Sequence, residues 1–70
     1  MSRSGRLSSK AFEAEALVEL PALLGVATRL TKNPPDAQDL VQDTLLKAMR
    51  ARDQFEAGTN LRAWLIRILM

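Results

Sequence analysis

The 70-residue sequence contains no cysteine and no histidine. Without cysteine the chain has neither a disulfide nor a thiolate metal site, which is compatible with the reducing cytoplasm, where we expect the protein to act. Without histidine it lacks the commonest metal ligand of proteins and their commonest general base. We therefore expect no metal, no cofactor and no enzyme activity.

Glycine, proline and long apolar runs are also scarce. The chain has three glycines and three prolines, and 47% of its residues are hydrophobic against 26% charged. This composition is typical of a folded domain rather than of a disordered chain. No run of about 20 apolar residues is present, so the sequence predicts no membrane-spanning helix. Seventy residues allow one small domain, near the lower size limit of independent stability.

The net charge of +2 is mild, and three basic residues near the start account for it: Arg3, Arg6 and Lys10. Residues 1–9 are rich in serine, and no apolar stretch follows them as it would in a signal peptide. We interpret residues 1–9 as a disordered leader whose charges are solvated, and residues 10–70 as the domain. A nucleic-acid-binding arm is the alternative interpretation of those charges.

Apolar residues recur at helical spacing between residues 10 and 30, and Pro21 interrupts this pattern. Because proline lacks a backbone donor, we expect a kink, or two short helices that meet near Leu20. Residues 31–35 form a connector, since the Pro34-Pro35 pair disfavours helix. No strand-like alternation occurs. The prediction is an all-α fold, a small three-helix bundle whose first helix is kinked or split.

A second helix is predicted from Asp36, as N-cap, to about Arg52, with Asp39 completing a weaker capping box. A loop over residues 53–59 follows. Thr59 or Asn60 then caps a third helix that reaches the end of the chain. Its apolar stripe has the helical spacing i, i+3, i+4, i+7 and consists of Leu61, Trp64, Leu65 and Ile68.

The second helix has two distinct faces when residues are placed about 100° apart. The predicted core face consists of Ala37, Leu40, Val41, Thr44, Leu45 and Ala48. The opposite face consists of Asp39, Gln42, Asp43, Leu46 and Arg50. An apolar side chain ringed by polar ones is typical of a contact surface. The alternative is a solvated face with a lone exposed leucine and an Asp43–Lys47 ion pair.

Two segments resemble region 2 of the extracytoplasmic-function (ECF) sigma factors of the sigma-70 family. They are DLVQDTLLKA from Asp39 and FEAGTNLRAWLIRIL from Phe55, in the family's order and at its spacing. The resemblance covers roughly residues 20–70. It implies a non-enzymatic transcription initiation module that binds RNA polymerase and promoter DNA. It also implies an incomplete domain, because the family continues with a basic helix and with region 4.

The resemblance implies that the second helix docks on the β′ coiled coil of RNA polymerase. The residues expected to contact polymerase are Asp39, Gln42, Asp43 and Leu46. Carboxylates and an amide would contact arginine-rich helices there, and Leu46 would form the water-excluded centre of the contact. Leu40 and Val41 are expected to hold the helix in place.

The segment from Phe55 to Leu61 resembles the part of these factors that recognises the promoter −10 element. A base of the non-template strand is flipped there into a protein pocket. We expect Phe55 to offer a stacking surface, Gly58 to allow close backbone approach, and Ala51 to lie against the pocket. Asn60 is either a base contact or the N-cap of the third helix.

Arg62 and Arg67 lie off the apolar stripe of the third helix and are either phosphate contacts or ordinary solvated arginines. Trp64 lies on that stripe, so we assign it to the core rather than to strand separation. An anti-sigma factor is a further expected partner. The alternative function is a sigma-like interaction domain that binds an anti-sigma factor without binding DNA.

Overall fold

The computed structural model of the chain describes residues 9–56 and 58–70. Within this part the elements are α1 (Ser9–Val18), α2 (Leu20–Thr31), α3 (Pro34–Arg50), a 3₁₀ turn (Arg52–Gln54) and α4 (Leu61–Leu69). No strand occurs among the described residues. The all-α prediction is confirmed. The leader predicted as disordered falls, except for Ser9 in α1, on residues 1–8, which lie outside the described part.

The break between α1 and α2 lies at Glu19, and Pro21 occupies the first turn of α2. Proline is tolerated there because the first N–H groups of a helix have no intrahelical partner. The Glu19 carbonyl accepts the first helical bond, from the N–H of Leu23 at 3.0 Å. The predicted interruption near Leu20 is therefore confirmed, as two separate helices rather than one kinked helix.

The beginning of α3 differs from the prediction that Asp36 is its N-cap. Asn33 is the N-cap instead: its side chain accepts a hydrogen bond from the N–H of Asp36 at 3.2 Å. Pro34 and Pro35 then form the first turn rather than preventing it. The residue before a proline prefers extended backbone, which is also the conformation an N-cap needs, and Asn33 has φ −149° and ψ 113°.

The core forms where α3 lies between α2 and α4. Small side chains allow α2 and α3 to approach closely, and Leu23, Ala27 and Ala37 are completely buried. The predicted core face of α3 is confirmed for Ala37, Val41, Thr44 and Ala48, whereas Leu40 and Leu45 are partly buried and pack against the edge of the core. The buried Thr44 hydroxyl donates to the Leu40 carbonyl at 2.7 Å.

The three aromatic side chains of the sequence meet in one cluster. Phe12 of α1 packs edge-on against Phe55, with ring centroids 6.0 Å apart, and against Trp64 of α4 at 5.9 Å. Phe55 and Trp64 are 5.3 Å apart. Phe12 and Phe55 are buried, and Trp64 is partly buried against the core, as predicted for that tryptophan. The cluster joins α1 and α4 to the segment that follows the 3₁₀ turn.

Removing a fully buried leucine should destabilise this domain far more than removing an exposed one. Leu23 and Leu65 are completely buried, and Leu30 is 52% exposed. We expect Leu23→Ala or Leu65→Ala to lower the free energy of unfolding by about 2–5 kcal/mol, and Leu30→Ala by less than about 0.5 kcal/mol. Urea denaturation followed by circular dichroism measures both. An equal loss in all three variants would contradict the core described above.

Candidate functional site

The outward face of α3 carries the side chains predicted to contact a partner. Asp39, Gln42 and Asp43 are exposed, and Leu46 among them is 58% exposed. Asp43 also forms the predicted ion pair with Lys47, with 3.0 Å between Oδ2 and Nζ. Both ends of that pair are more than half exposed, and exposed pairs at this spacing contribute only about 0.3–0.5 kcal/mol. A partner cation can therefore replace Lys47 at little cost.

Two apolar grooves adjoin this face, and the sequence analysis did not identify them. One, of about 480 Å³, is lined by Leu20, Pro21, Leu24, Gln38, Val41, Gln42 and Leu45. The other, of about 200 Å³, is lined by Glu13, Ala16, Leu17, Gln42, Leu45, Leu46 and Met49. Gln42 and Leu45 line both, so the two grooves are neighbours. The face of α3 is thus part of a wider surface, called here the α3 surface, that α1 and α2 also line.

The α3 surface has an apolar centre and acidic groups along its edge. Leu17 of α1 is 49% exposed, and Leu24 of α2 is 38% exposed. Asp39 and Asp43 on α3 are exposed and so is Glu13 on α1. Helical spacing places Leu17 and Leu24 in an apolar pattern but does not distinguish a core leucine from one that faces a groove. Only the packing of α1 and α2 on α3 makes that distinction.

The second predicted site is the segment from Phe55 to Leu61; its part before α4, residues 55–60, follows the 3₁₀ turn and is described except for residue 57. Phe55 is only 4% exposed, because Phe12 and Trp64 pack against its ring. The expectation that Phe55 offers a stacking surface is therefore corrected: its ring belongs to the core and anchors the segment. Gly58 has φ 91°, a conformation that favours glycine, and it is exposed together with Glu56 and Thr59.

Of the two roles considered for Asn60, the structure shows the N-cap. Its side chain accepts a hydrogen bond from the N–H of Ala63 at 3.1 Å, so it is the N-cap of α4. Ala51, at the other end of this region, is the C-cap of α3, and its N–H donates to the carbonyls of Lys47 and Ala48. Ala51 is partly buried. Ala51 and Asn60 thus cap the helix ends on either side of this segment.

The two arginines of α4 have different surroundings. The Nε of Arg62 donates to Oε1 of Glu19 at 2.8 Å, which ties the first turn of α4 to the corner between α1 and α2. The Arg62 side chain is still 60% exposed. Arg67, in the last turn of α4, is exposed. Both guanidinium groups therefore reach solvent, and Arg62 does so while engaged with a carboxylate.

The described part of the chain holds no cluster of metal ligands and no membrane-spanning helix. No group of three or more acidic side chains there lies close enough together to hold a metal ion. None of the helices in residues 9–56 and 58–70 is long and apolar enough to cross a membrane.

Residues 17–70 match the family described as Sigma-70 region 2. The chain is 46% identical over 55 residues to the ECF RNA polymerase sigma factor EcfG of Rhodopseudomonas palustris, covering 79% of this chain and 30% of that protein. It is 48% identical over 46 residues to the ECF RNA polymerase sigma factor SigG of Mycobacterium tuberculosis, covering 66% and 12%. It is 36% identical over 58 residues to the RNA polymerase sigma factor CarQ of Myxococcus xanthus, covering 83% and 33%. The chain spans a third or less of these curated relatives.

The N-cap role of Asn60 can be separated from any role of its amide in base contact. Serine caps helices about as well as asparagine, whereas alanine does not cap them. We expect Asn60→Ala to lower the free energy of unfolding by about 1 kcal/mol and Asn60→Ser to change it by no more than a few tenths. Asn33→Ala, which removes the equivalent cap of α3, is the positive control. Urea denaturation giving the same loss for Asn60→Ser and Asn60→Ala would contradict the capping role.

Proposed function

The chain belongs to the Sigma-70 region 2 family and is of the ECF type, and from this we propose that it is the part of a transcription initiation factor that docks on RNA polymerase and reads the promoter −10 element. The observation that supports docking most directly is the half-exposed Leu46 among polar side chains on α3. The relatives are RNA polymerase sigma factors by name. RNA polymerase is accordingly the proposed partner of this chain.

The chemistry of the α3 surface suits a helical partner with apolar and basic residues. Leu17, Leu24 and Leu46 supply exposed apolar area beside the two grooves, and exposed apolar patches with polar rims are typical of protein–protein contacts. Asp39 and Asp43 can accept charge-assisted hydrogen bonds from arginine. The β′ coiled coil is the polymerase element that we propose to lie there.

The docking proposal predicts a selective effect of removing polar groups from α3. The double change Asp39→Ala with Gln42→Ala should weaken polymerase binding about tenfold or more, since buried charge-assisted contacts contribute more than 1.4 kcal/mol. Both side chains are exposed, so helix content should stay the same. Binding is measured by titrating labelled sigma factor, expressed from its full reading frame, with core polymerase.

A matched control removes the same two residue types elsewhere. Asp53 and Gln54 are also exposed, in the 3₁₀ turn, so Asp53→Ala with Gln54→Ala makes the same change of charge and size. Equal polymerase affinity for the α3 variant and wild type would rule out docking through this face. Loss of affinity for an anti-sigma factor, with polymerase affinity unchanged, would instead favour the sigma-like interaction domain that binds no DNA.

We propose that residues 55–60, called here the −10 loop, recognise a flipped base of the non-template strand. In this proposal Phe55 anchors the loop, and the exposed Gly58 lets the strand approach its backbone. Ala51 and Asn60 hold the helix ends on either side. Arg67, with Arg62 where it is released by Glu19, contacts phosphates near the loop. In this proposal the base contacts the exposed edge of the loop rather than the Phe55 ring.

Loss of the Phe55 ring should abolish base preference at the −10 element, because the loop loses its buried anchor. The measurement uses holoenzyme assembled with the full-length protein and promoter DNA whose −10 positions are randomised. Sequencing the bound fraction gives a preference ratio for each base. We expect Phe55→Ala to bring these ratios close to one.

The control for that experiment is Leu23→Ala, which removes another buried side chain, on α2. Partial unfolding lowers the bound amount of every sequence alike, so it leaves the ratios unchanged. Unaltered ratios in Phe55→Ala would exclude the −10 loop as the reader.

A further inference from the structure

Phe12 is a buried aromatic residue to which neither docking nor DNA recognition assigns a role. It is 1% exposed, and it lies before residue 17, where the match to the Sigma-70 region 2 family begins. Nevertheless it packs against a residue of the proposed −10 loop. The part of α1 that precedes the family match is therefore in direct contact with the proposed reading site.

The geometry of the contact makes Phe12 a neighbour of both ends of the loop. Its ring lies edge-on to Phe55, at the loop's beginning, with 61° between planes, and edge-on to Trp64, in the first turn of α4, at 88°. Edge-to-face pairs at these separations are favourable. Among the described residues of the loop Phe55 is buried, whereas Glu56, Gly58 and Thr59 are exposed. The buried Phe55 ring, packed against Phe12 and Trp64, therefore attaches the loop to α1 and α4.

A second contact ties the same region together. Glu19, directly after α1, accepts from Arg62 at 2.8 Å, and Arg62 lies two residues beyond the loop. The Glu19 side chain is only 20% exposed, so the carboxylate is held against the protein surface. The loop is thus restrained at its beginning by Phe12 and just after its end by Glu19, and both restraints come from α1 or its end.

We propose that Phe12 is a positioning residue for base recognition: α1 holds Phe55, and through it the −10 loop, in the geometry that selects the base. This rests on the proposed function of the loop. It extends that function to a helix whose first eight residues precede the family match. Phe12 contacts no DNA in this proposal, and it acts only through Phe55 and Trp64.

The first test asks whether Phe12 sets the environment of the loop, without involving DNA. Trp64 is the single tryptophan of the chain and lies in the aromatic cluster, so its fluorescence reports on that cluster. Phe12→Leu keeps an apolar side chain but removes the ring edge, and it should shift the Trp64 emission. Leu23→Val trims another fully buried side chain, outside the aromatic cluster, and should leave the emission unchanged.

The second test measures base preference with holoenzyme assembled from the full-length protein and the promoter DNA with randomised −10 positions described above. We expect Phe12→Leu to reduce the preference ratio several-fold while polymerase affinity stays at the wild-type value. Leu23→Val should retain the ratio. Because the ratio compares sequences bound by the same folded protein, reduced stability alone does not change it. Phe12→Met, which keeps more volume, repeats the test should Phe12→Leu fold poorly.

Each outcome separates this inference from the proposed function on which it rests. Base-preference ratios that stay at the wild-type values when residues 55–60 are substituted would overturn both proposals. A wild-type preference that Phe55→Ala abolishes and Phe12→Leu retains would overturn the positioning role alone. An equal loss of preference in Leu23→Val would also overturn it, because general loosening of the core would then be sufficient.

Discussion

The contact among Phe12, Phe55 and Trp64 joins three segments that are distant in sequence, and the attachment of the −10 loop to the bundle depends on it. These are the chain's three aromatic residues, and they come from α1, the loop and α4. Aromatic pairs of this kind contribute about 0.5–1.5 kcal/mol each beyond the area they bury. A chain of 70 residues with no cysteine has few other means of joining distant segments. Without the cluster, α1 and the loop would lose a buried attachment to α4.

One side of α3 is buried through small side chains and the other side is exposed, and this separates the two proposed sites. Ala37 and Ala48 are completely buried, which brings α3 close to its neighbours and fixes its orientation. Asp39, Gln42 and Leu46 therefore lie on the exposed side of α3. The C-terminal end of the same helix leads through the 3₁₀ turn into the −10 loop. Polymerase docking and base recognition would then be held at a fixed distance by one element.

The sequence predicted which segments are helical and which face of α3 is buried, because both depend on local periodicity. It failed at Asn33, where the two prolines were interpreted as excluding a helix although both are compatible with its first turn. It also failed at Phe55. The family resemblance implied a ring available for stacking, but Phe12, one of the two rings that bury it, is 43 positions away. Glu19 and Arg62 are as far apart in sequence. Contacts between residues so far apart leave no periodic pattern in the sequence.

The burial of Phe55 limits how the −10 loop can recognise a base. Exposing a buried phenylalanine costs about 1.5–3 kcal/mol, and losing its two ring contacts adds to that cost. A mechanism in which the Phe55 ring swings out to stack on a base would subtract this amount from the affinity for DNA. A loop that stays anchored and uses its exposed backbone at Gly58 avoids the loss, since it is already in the binding conformation. The energetics therefore favour an anchored loop, and in the proposed function the residues that anchor it would contribute to base recognition.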